Sequence, residues 1–226
     1  MDINATENIL ATNMGLAGSR ATAGAGSDGM ADLLRADSAA ENTRIQISQQ
    51  SEQINELYNA VQATGNDAAL AGLRDFFTTA ASQFDQTAVN NLTQMGNAAF
   101  ADNRGEFVTD LFANYNALTD TAEGANLAYN MVSEAGATFG DLGLGAAESF
   151  SNAADAILRA EMPEGSALGH REVLQNFTNT WRDARTTDAE DAERQNQLNA
   201  LSQGVLDGND TVEIDDFISN FSPSSS

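Results

Sequence analysis

The sequence predicts an all-α protein, an antiparallel bundle of about six or seven helices with a flexible N-terminal arm and a short C-terminal amphipathic helix. Three observations support this prediction. Alanine, the strongest helix former, supplies 39 of the 226 residues. The only prolines are Pro163 and Pro223, so nearly the whole chain before residue 163 is free of that helix breaker. Apolar side chains then recur at helical spacing beyond residue 38.

The chain begins with a segment of small, polar and glycine-rich sequence at 1–37, which we expect to be a flexible arm. Ser38 and Glu41 have the spacing of a capping box and are expected to open the first helix. The sequence thus divides into an arm at 1–37, a helical bundle at 38–205 and a C-terminal segment at 206–226, which holds a capped amphipathic helix and a serine-rich tail.

The first three helices follow from their apolar spacing and from the breaks between them. The first carries a narrow apolar stripe among glutamines, which is typical of a helix lying against a partner. The segment Thr64–Asp67 ends it. The apolar residues assigned to these helices are Ile47, Ile54, Leu57, Tyr58 and Val61; Leu70, Leu73, Phe76, Phe77, Ala80, Ala81 and Phe84; and Val89, Leu92, Met95 and Phe100.

Between Glu106 and Ala137 the apolar pattern predicts one long helix, the main element of the core, unless Gly124 divides it. Four glycines, Gly136, Gly140, Gly143 and Gly145, predict a flexible crossing after it. Three further helices are expected around Phe150–Leu158, around Val173–Trp181, and after a second capping box at Thr187–Glu190, the last continuing through Val205.

The charge of the chain restricts its partners. Asp and Glu number 33 against ten basic residues, all of them arginine, for a net charge of −23. Such a surface repels phosphates and anionic lipids, so we expect neither direct nucleic-acid binding nor binding to an anionic membrane. GC-rich coding, adaptation to a saline medium and selection against amine modification are three explanations for the absence of lysine, and the sequence leaves all three open.

Cysteine is absent, which removes disulfides, thiolate metal sites and thiol nucleophiles. The sequence shows no basic and apolar signal peptide and no apolar run long enough to cross a bilayer. We therefore expect a cytoplasmic or virion protein, or one exported by a route that needs no signal peptide.

Catalytic motifs are also absent from the sequence: it has no nucleophile elbow, no P-loop and no dinucleotide fingerprint. The one histidine, His170, is expected to lie in the first turn of a helix, and His170→Ala is expected to change the stability by no more than about ±0.5 kcal/mol. An enzyme is not expected. A carboxylate-dependent hydrolase is the third-ranked alternative, because any two of the 33 acids can meet in space.

The segment Asp207–Ile218 resembles an EF-hand calcium loop. Its candidate ligands at alternate positions are Asp207, Asn209, Thr211, Glu213 and Asp215. Two positions depart from the motif: Val212 stands where the turn needs glycine, and Ile218 stands where a bidentate Glu closes the site. A calcium-binding regulatory protein is therefore the second-ranked function, and otherwise no cofactor is expected.

The preferred interpretation of the same segment is an amphipathic helix with Asp210 as its N-cap. The residues predicted to dock on the bundle or on a partner form one apolar face: Ile214, Phe217, Ile218 and Phe221. From these patterns we predict a non-enzymatic structural or assembly protein, a component of a virion, an injection apparatus or an exported filament. Its expected partners are protein subunits, including copies of itself.

Overall fold

The computed structural model of the protein describes residues 50–221, and this part of the chain forms nine α-helices. In chain order they are α1 (50–63), α2 (Asp67–Ser82), α3 (Gln86–Ala101), α4 (Glu106–Leu118), α5 (Ala122–Leu142), α6 (Leu144–Arg159), α7 (His170–Arg185), α8 (Asp191–Asp207) and α9 (Thr211–Asn220). The predicted all-α helical bundle is confirmed. The predicted arm at 1–37 and the capping box at Ser38 lie outside the described residues.

The chain divides into two compact units at 1–56 and 57–226. Only residues 50–56 of the first unit are described, and they belong to α1. All contacts given below lie within the second unit.

Helix α6 is central in this unit, because it packs against α3, α4, α5, α7 and α8. Its buried side chains are mostly small, including Ala146, Ala147, Ala153 and Ala154. Small side chains let several neighbouring helices approach one axis closely, which explains why an alanine-rich sequence suits this bundle.

Two clusters of aromatic rings lie between the helices. Phe76 of α2 contacts the rings of Phe77, Phe112, Tyr115 and Tyr129, and it stacks on Tyr129 at 5.3 Å between centroids. In the second cluster, rings from α6 and α7 meet: Phe150 stacks on Phe177 at 5.3 Å, and Trp181 contacts both. The predicted apolar stripes of α2, α4, α6 and α7 meet in these clusters.

The predicted break at Thr64–Asp67 is confirmed, since α2 begins at Asp67 and the Asn66 side chain caps it by accepting from the Ala69 N–H at 3.0 Å. The single long helix over Glu106–Ala137 is wrong. The chain turns at residues 119–121, and Thr121 Oγ1 caps α5 by accepting from the Gly124 N–H at 3.0 Å. Gly124 takes part in the turn because a Cβ there would overlap the Leu118 carbonyl oxygen.

The flexible crossing predicted from four glycines is also wrong. Gly136 and Gly140 lie inside α5, facing Asn91 and Leu92 of α3, so their missing side chains allow the two helices to approach. Gly143 alone makes the turn from α5 to α6, with φ +84°, a conformation that a residue with a side chain rarely adopts.

The second predicted capping box is wrong as well. Helix α8 begins at Asp191, and its N-cap residue, Glu190, makes no side-chain capping hydrogen bond. The Thr187 hydroxyl instead donates to the Ala184 carbonyl oxygen at 2.8 Å, near the end of α7. The N-cap position of α8 thus lies three residues after Thr187, the predicted cap.

Candidate functional site

The predicted docking helix is α9, and in this structure it packs on α7 and α8 of its own chain. Ile214 and Ile218 are buried, whereas Phe217 and Phe221 are half-buried, with their ring centroids 6.0 Å apart. The four residues therefore form one apolar face as predicted, and the two isoleucines are its most buried part.

Two glycines one helical turn apart make room for this face at the end of α8. A Cβ on Gly204 would overlap the ring of Phe217, and a Cβ on Gly208 would lie 2.5 Å from Ile214 Cγ1. The glycines form a notch that receives one aromatic and one aliphatic side chain of α9. Glycine within a helix lowers the helix stability by about 1 kcal/mol relative to alanine. The packing of α9 side chains in the notch offsets this cost.

The candidate calcium ligands lie around the start of α9. Asp210 Oδ1 accepts from the N–H groups of Val212 and Glu213, both at 2.9 Å, which confirms the predicted N-cap. Glu213 Oε2 accepts from the backbone N–H and the side-chain amide of Asn209, both at 3.1 Å. These carboxylates stabilise the first turn of the helix.

The remaining candidate ligands have other surroundings. Asp207 accepts from Gln203 at 2.8 Å, and Asp215 accepts from Asn176 of α7 at 2.9 Å. Thr211 is fully buried, and its hydroxyl has no hydrogen-bond partner in the described part of the chain. Within that part, no three His, Cys, Asp or Glu side chains are grouped so that they could hold a metal ion.

His170 joins the two ends of the 160–169 loop. It is the first residue of α7, and its Nε2 lies 2.8 Å from the carbonyl oxygen of Ala160, the C-cap of α6. The same loop is attached to α9, because the Glu161 N–H donates to the Asn209 carbonyl oxygen at 3.3 Å and the Thr211 N–H donates to the Glu161 carbonyl oxygen at 2.9 Å. The His170 imidazole therefore contributes to the structure by linking the two ends of this loop.

We expect His170→Ala to lower the free energy of unfolding by about 0.5–1.5 kcal/mol, the net value of one hydrogen bond. This is more than expected from the sequence alone, because the contact to Ala160 was not foreseen. Urea unfolding measures the loss, and His170→Gln, which keeps a donor, is the control. Loss of a biochemical activity or of assembly in a fully folded variant would contradict a purely structural role.

Every arginine in 50–221 has a partner within the chain. The pairs are Arg74 with Tyr58, Arg104 with Glu148, Arg159 with Asp110 and Asp155, Arg171 with Asp120, Arg182 and Arg185 with Glu134, Arg185 also with Asp141, and Arg194 with Asp191. Seven arginines stand against 27 acidic residues in this range. The positive charges are thus used inside the fold, and the remaining carboxylates leave the protein strongly negative.

The most buried of these pairs joins α5 to α7. Glu134 is 3% exposed; its Oε1 lies 2.7 Å from Arg185 Nε, and its Oε2 lies 3.0 Å from Arg182 Nε. Arg185 also contacts Asp141. Burial alone would lower the pKa of Arg185, but the hydrogen bonds and charges of Glu134 and Asp141 outweigh it, and its pKa lies above the ordinary value. We call these four residues the α5–α7 ion cluster.

Salt is expected to stabilise the protein, because self-repulsion among the unmatched carboxylates opposes the compact state. Raising the ionic strength from about 10 mM to about 1 M shortens the screening length from about 30 to about 3 Å. Differential scanning calorimetry should show a rising melting temperature over this range. A flat or falling temperature would mean that the surface carboxylates are already matched.

One segment of the chain, part of it exposed, differs from this acidic background. From Phe76 to Ala101 the only charged residue is Asp85, in the turn between α2 and α3. Asp85 is engaged twice: Oδ1 accepts from the Ala88 N–H at 3.0 Å, and Oδ2 accepts from the Tyr129 hydroxyl at 2.8 Å. Burial, followed by the hydrogen bond and charge of Asp85, raises the pKa of Tyr129, so the phenol stays protonated and donates.

We call the exposed part of this segment the neutral strip. Its residues are Thr78, Ser82, Gln83, Phe84, Gln86, Thr87, Asn90 and Gln94. Phe84 was predicted to lie on the buried side of its helix, and that prediction is wrong: the residue follows the end of α2 and is 71% exposed. The apolar period of α2 ends at Ala80 and Ala81, and the turn carries Phe84 outward.

No family model, curated protein or solved structure matches this chain.

None of the described helices is both long enough and apolar enough to span a lipid bilayer.

Neither the neutral strip nor the α5–α7 ion cluster was predicted from the sequence. The absence of charge over Phe76–Ala101 was a usable signal, because 34 of the 172 residues in 50–221 are Asp, Glu or Arg and only one of them falls in this segment of 26. The ion cluster had no such signal, since Glu134 and Arg185 are 51 residues apart in the chain.

Proposed function

We propose that the protein is a non-enzymatic structural or assembly protein, a subunit or accessory component of a larger particle such as a virion, an injection apparatus or an exported filament. It works through packing against other protein subunits. The neutral strip is the observation that carries this proposal, because the centres of protein interfaces are poor in charge and rich in aromatic residues. A surface kept free of charge on such an acidic chain suits contact with protein.

The surroundings of the other polar groups support the same conclusion. The arginines in the described part of the chain bind carboxylates or a phenol of their own chain, and His170 contacts a backbone carbonyl oxygen. The buried α5–α7 ion cluster joins two helices, so its charges already have a structural use. These are the contacts of a rigid building block.

Multi-angle light scattering at about 10 mM and about 1 M salt tests the proposal, because screening over this range removes most of the long-range repulsion between acidic chains. We expect species larger than the monomer, with a larger share at high salt. A strict monomer at both salt concentrations would contradict the proposed function.

A further inference from the structure

The end of α2 has a residue that its backbone disfavours. The Phe84 N–H donates to the Ala81 carbonyl oxygen at 3.2 Å, and the Asp85 N–H donates to the Ala80 carbonyl oxygen at 3.0 Å. These two bonds form a Schellman motif, in which the residue that follows the helix end, here Phe84, must adopt the left-handed conformation. Phe84 has φ +55°, where a residue with a Cβ costs about 1–2 kcal/mol and glycine is the usual choice.

Two neighbouring helix ends show the ordinary solution. Gly65 follows α1 with φ +71°, and Asn103 follows α3 with φ +59°. The Asn103 N–H donates to the Phe100 carbonyl oxygen at 3.2 Å, and the Arg104 N–H donates to that of Ala99 at 2.7 Å, which is the same motif as at Phe84. Glycine and asparagine suit this position. Phenylalanine does not, and its ring gains little burial in exchange.

An exposed aromatic residue in a strained backbone conformation has a physical reason if a partner buries its ring, because that burial offsets the strain. The ring stands in the neutral strip, and along the exposed face of α3 Gln86, Asn90 and Gln94 follow one another at four-residue spacing. Uncharged polar residues around an aromatic anchor have the composition of an interface rim.

We propose that the neutral strip is a self-association surface, on which a second copy of this chain docks with Phe84 as the anchor. The negative charge of the chain favours a second copy over a basic protein as the partner that docks here. A basic partner would be drawn to the acidic faces, whereas two chains of −23 each meet with least repulsion where neither presents unmatched carboxylates. The seven arginines of 50–221 are engaged within the chain, so they are not free to bridge two copies. A two-fold axis brings strip against strip. This inference rests on the proposed function.

The first test removes the anchor. Phe84→Gly and Phe84→Asn are expected to weaken self-association at high salt by tenfold or more, measured as a dissociation constant by sedimentation equilibrium. Both variants relieve the left-handed strain, so their melting temperature at a monomeric concentration should equal or exceed that of the wild type. Asn103→Gly is the control for the backbone change, and Met162→Ser, at another exposed apolar side chain, is the control for lost apolar surface. Neither should alter the dissociation constant.

The second test adds charge. Gln94→Glu places a carboxylate in the strip of each copy, so that two of them approach across the contact, and it is expected to weaken association tenfold or more at low salt and less at high salt. Gln195→Glu, an equal change at an exposed position of α8, should have little effect.

The outcomes separate this inference from the proposed function. If the wild type associates and the strip variants associate equally well, the strip is not the contact and the inference fails, while the proposed function stands. If Phe84→Gly weakens association but Gln94→Glu does not, the copies do not meet strip to strip and the inference also fails. A wild type that stays monomeric at every salt concentration overturns both.

Discussion

Replacing Glu134 with alanine is expected to lower the free energy of unfolding by about 3–5 kcal/mol, among the largest effects of any single polar change in this protein. Glu134 is buried between α5 and α7, with its two oxygens on Arg185 and Arg182. Its removal leaves the Arg185 guanidinium, whose side chain is 10% exposed, with a carboxylate only at Asp141. The cost comes mainly from this incompletely compensated buried charge. Denaturant unfolding of the wild type and the variant measures it.

Asp141→Ala is the matched control in the same cluster. Asp141 is 48% exposed, so its loss is expected to cost at most about 1 kcal/mol. The double variant Glu134→Leu with Arg185→Leu should be more stable than Glu134→Ala, because an apolar pair of adequate volume leaves no buried charge. Equal losses of unfolding free energy for Glu134→Ala and Asp141→Ala would contradict this account, because they would show that burial does not set the cost of removing a carboxylate from the α5–α7 ion cluster.

The apolar period predicted most of the core because burial on one side of a helix imposes it. Leu73, Phe76, Leu111, Phe112 and Trp181 are all buried where that period placed them. The period says where a helix faces inward, but it does not say where the helix stops. Phe84 follows the same spacing and is exposed, because the Schellman turn ends α2 before it.

Helix ends were predicted less well than the buried faces of the helices. Asp210 caps α9 as expected, because its carboxylate accepts from the N–H groups two and three residues ahead. Thr187 does not cap α8, because that helix begins at Asp191 with Glu190 as its N-cap residue. Gly136 and Gly140 were interpreted as breakers, although their use depends on α3, about 45 residues earlier in the chain.

The apolar face of α9 and the neutral strip differ in how far the sequence predicts them. The apolar face of α9 is local and was predicted residue by residue from its spacing. Its place on α7 and α8 depends on Gly204 and Gly208, whose importance appears only when Phe217 and Ile214 lie over them. Phe84 required backbone geometry, since a sequence pattern does not show that a phenylalanine occupies a left-handed position.

The docking of α9 leads to the second prediction with a large effect. From the sequence we expect Phe217→Ala with Phe221→Ala to weaken stability or assembly by several kcal/mol. The structure indicates a second double variant, Ile214→Ala with Ile218→Ala, which tests docking more directly because these two side chains are buried. A helix of ten residues is unstable alone in water, so either pair should release the whole of α9. The loss cannot exceed the docking free energy of α9, and we expect about 2–5 kcal/mol for the isoleucine pair.

Release of α9 has its own signature. Hydrogen exchange followed by mass spectrometry should show fast exchange over residues 211–220 in both double variants, with protection kept in the core of α6. Gly204→Ala should release the same helix from the opposite side, because its Cβ takes the place of the Phe217 ring. Asn199→Ala, on the exposed face of α8, is the matched control and should leave α9 protected. Slow exchange in α9 of all three variants would contradict the docking account.

The same helix separates the structural function from the calcium-dependent one. Asp207→Ala and Asp215→Ala remove one hydrogen bond each, to Gln203 and to Asn176, and both bonds are exposed. If α9 is held by its apolar face, each change should cost less than about 1 kcal/mol. Titration calorimetry with calcium is then expected to show no binding in the wild type. Binding that both aspartate changes abolish would replace the docking account with a calcium site, and the protein would then be a calcium-binding regulator.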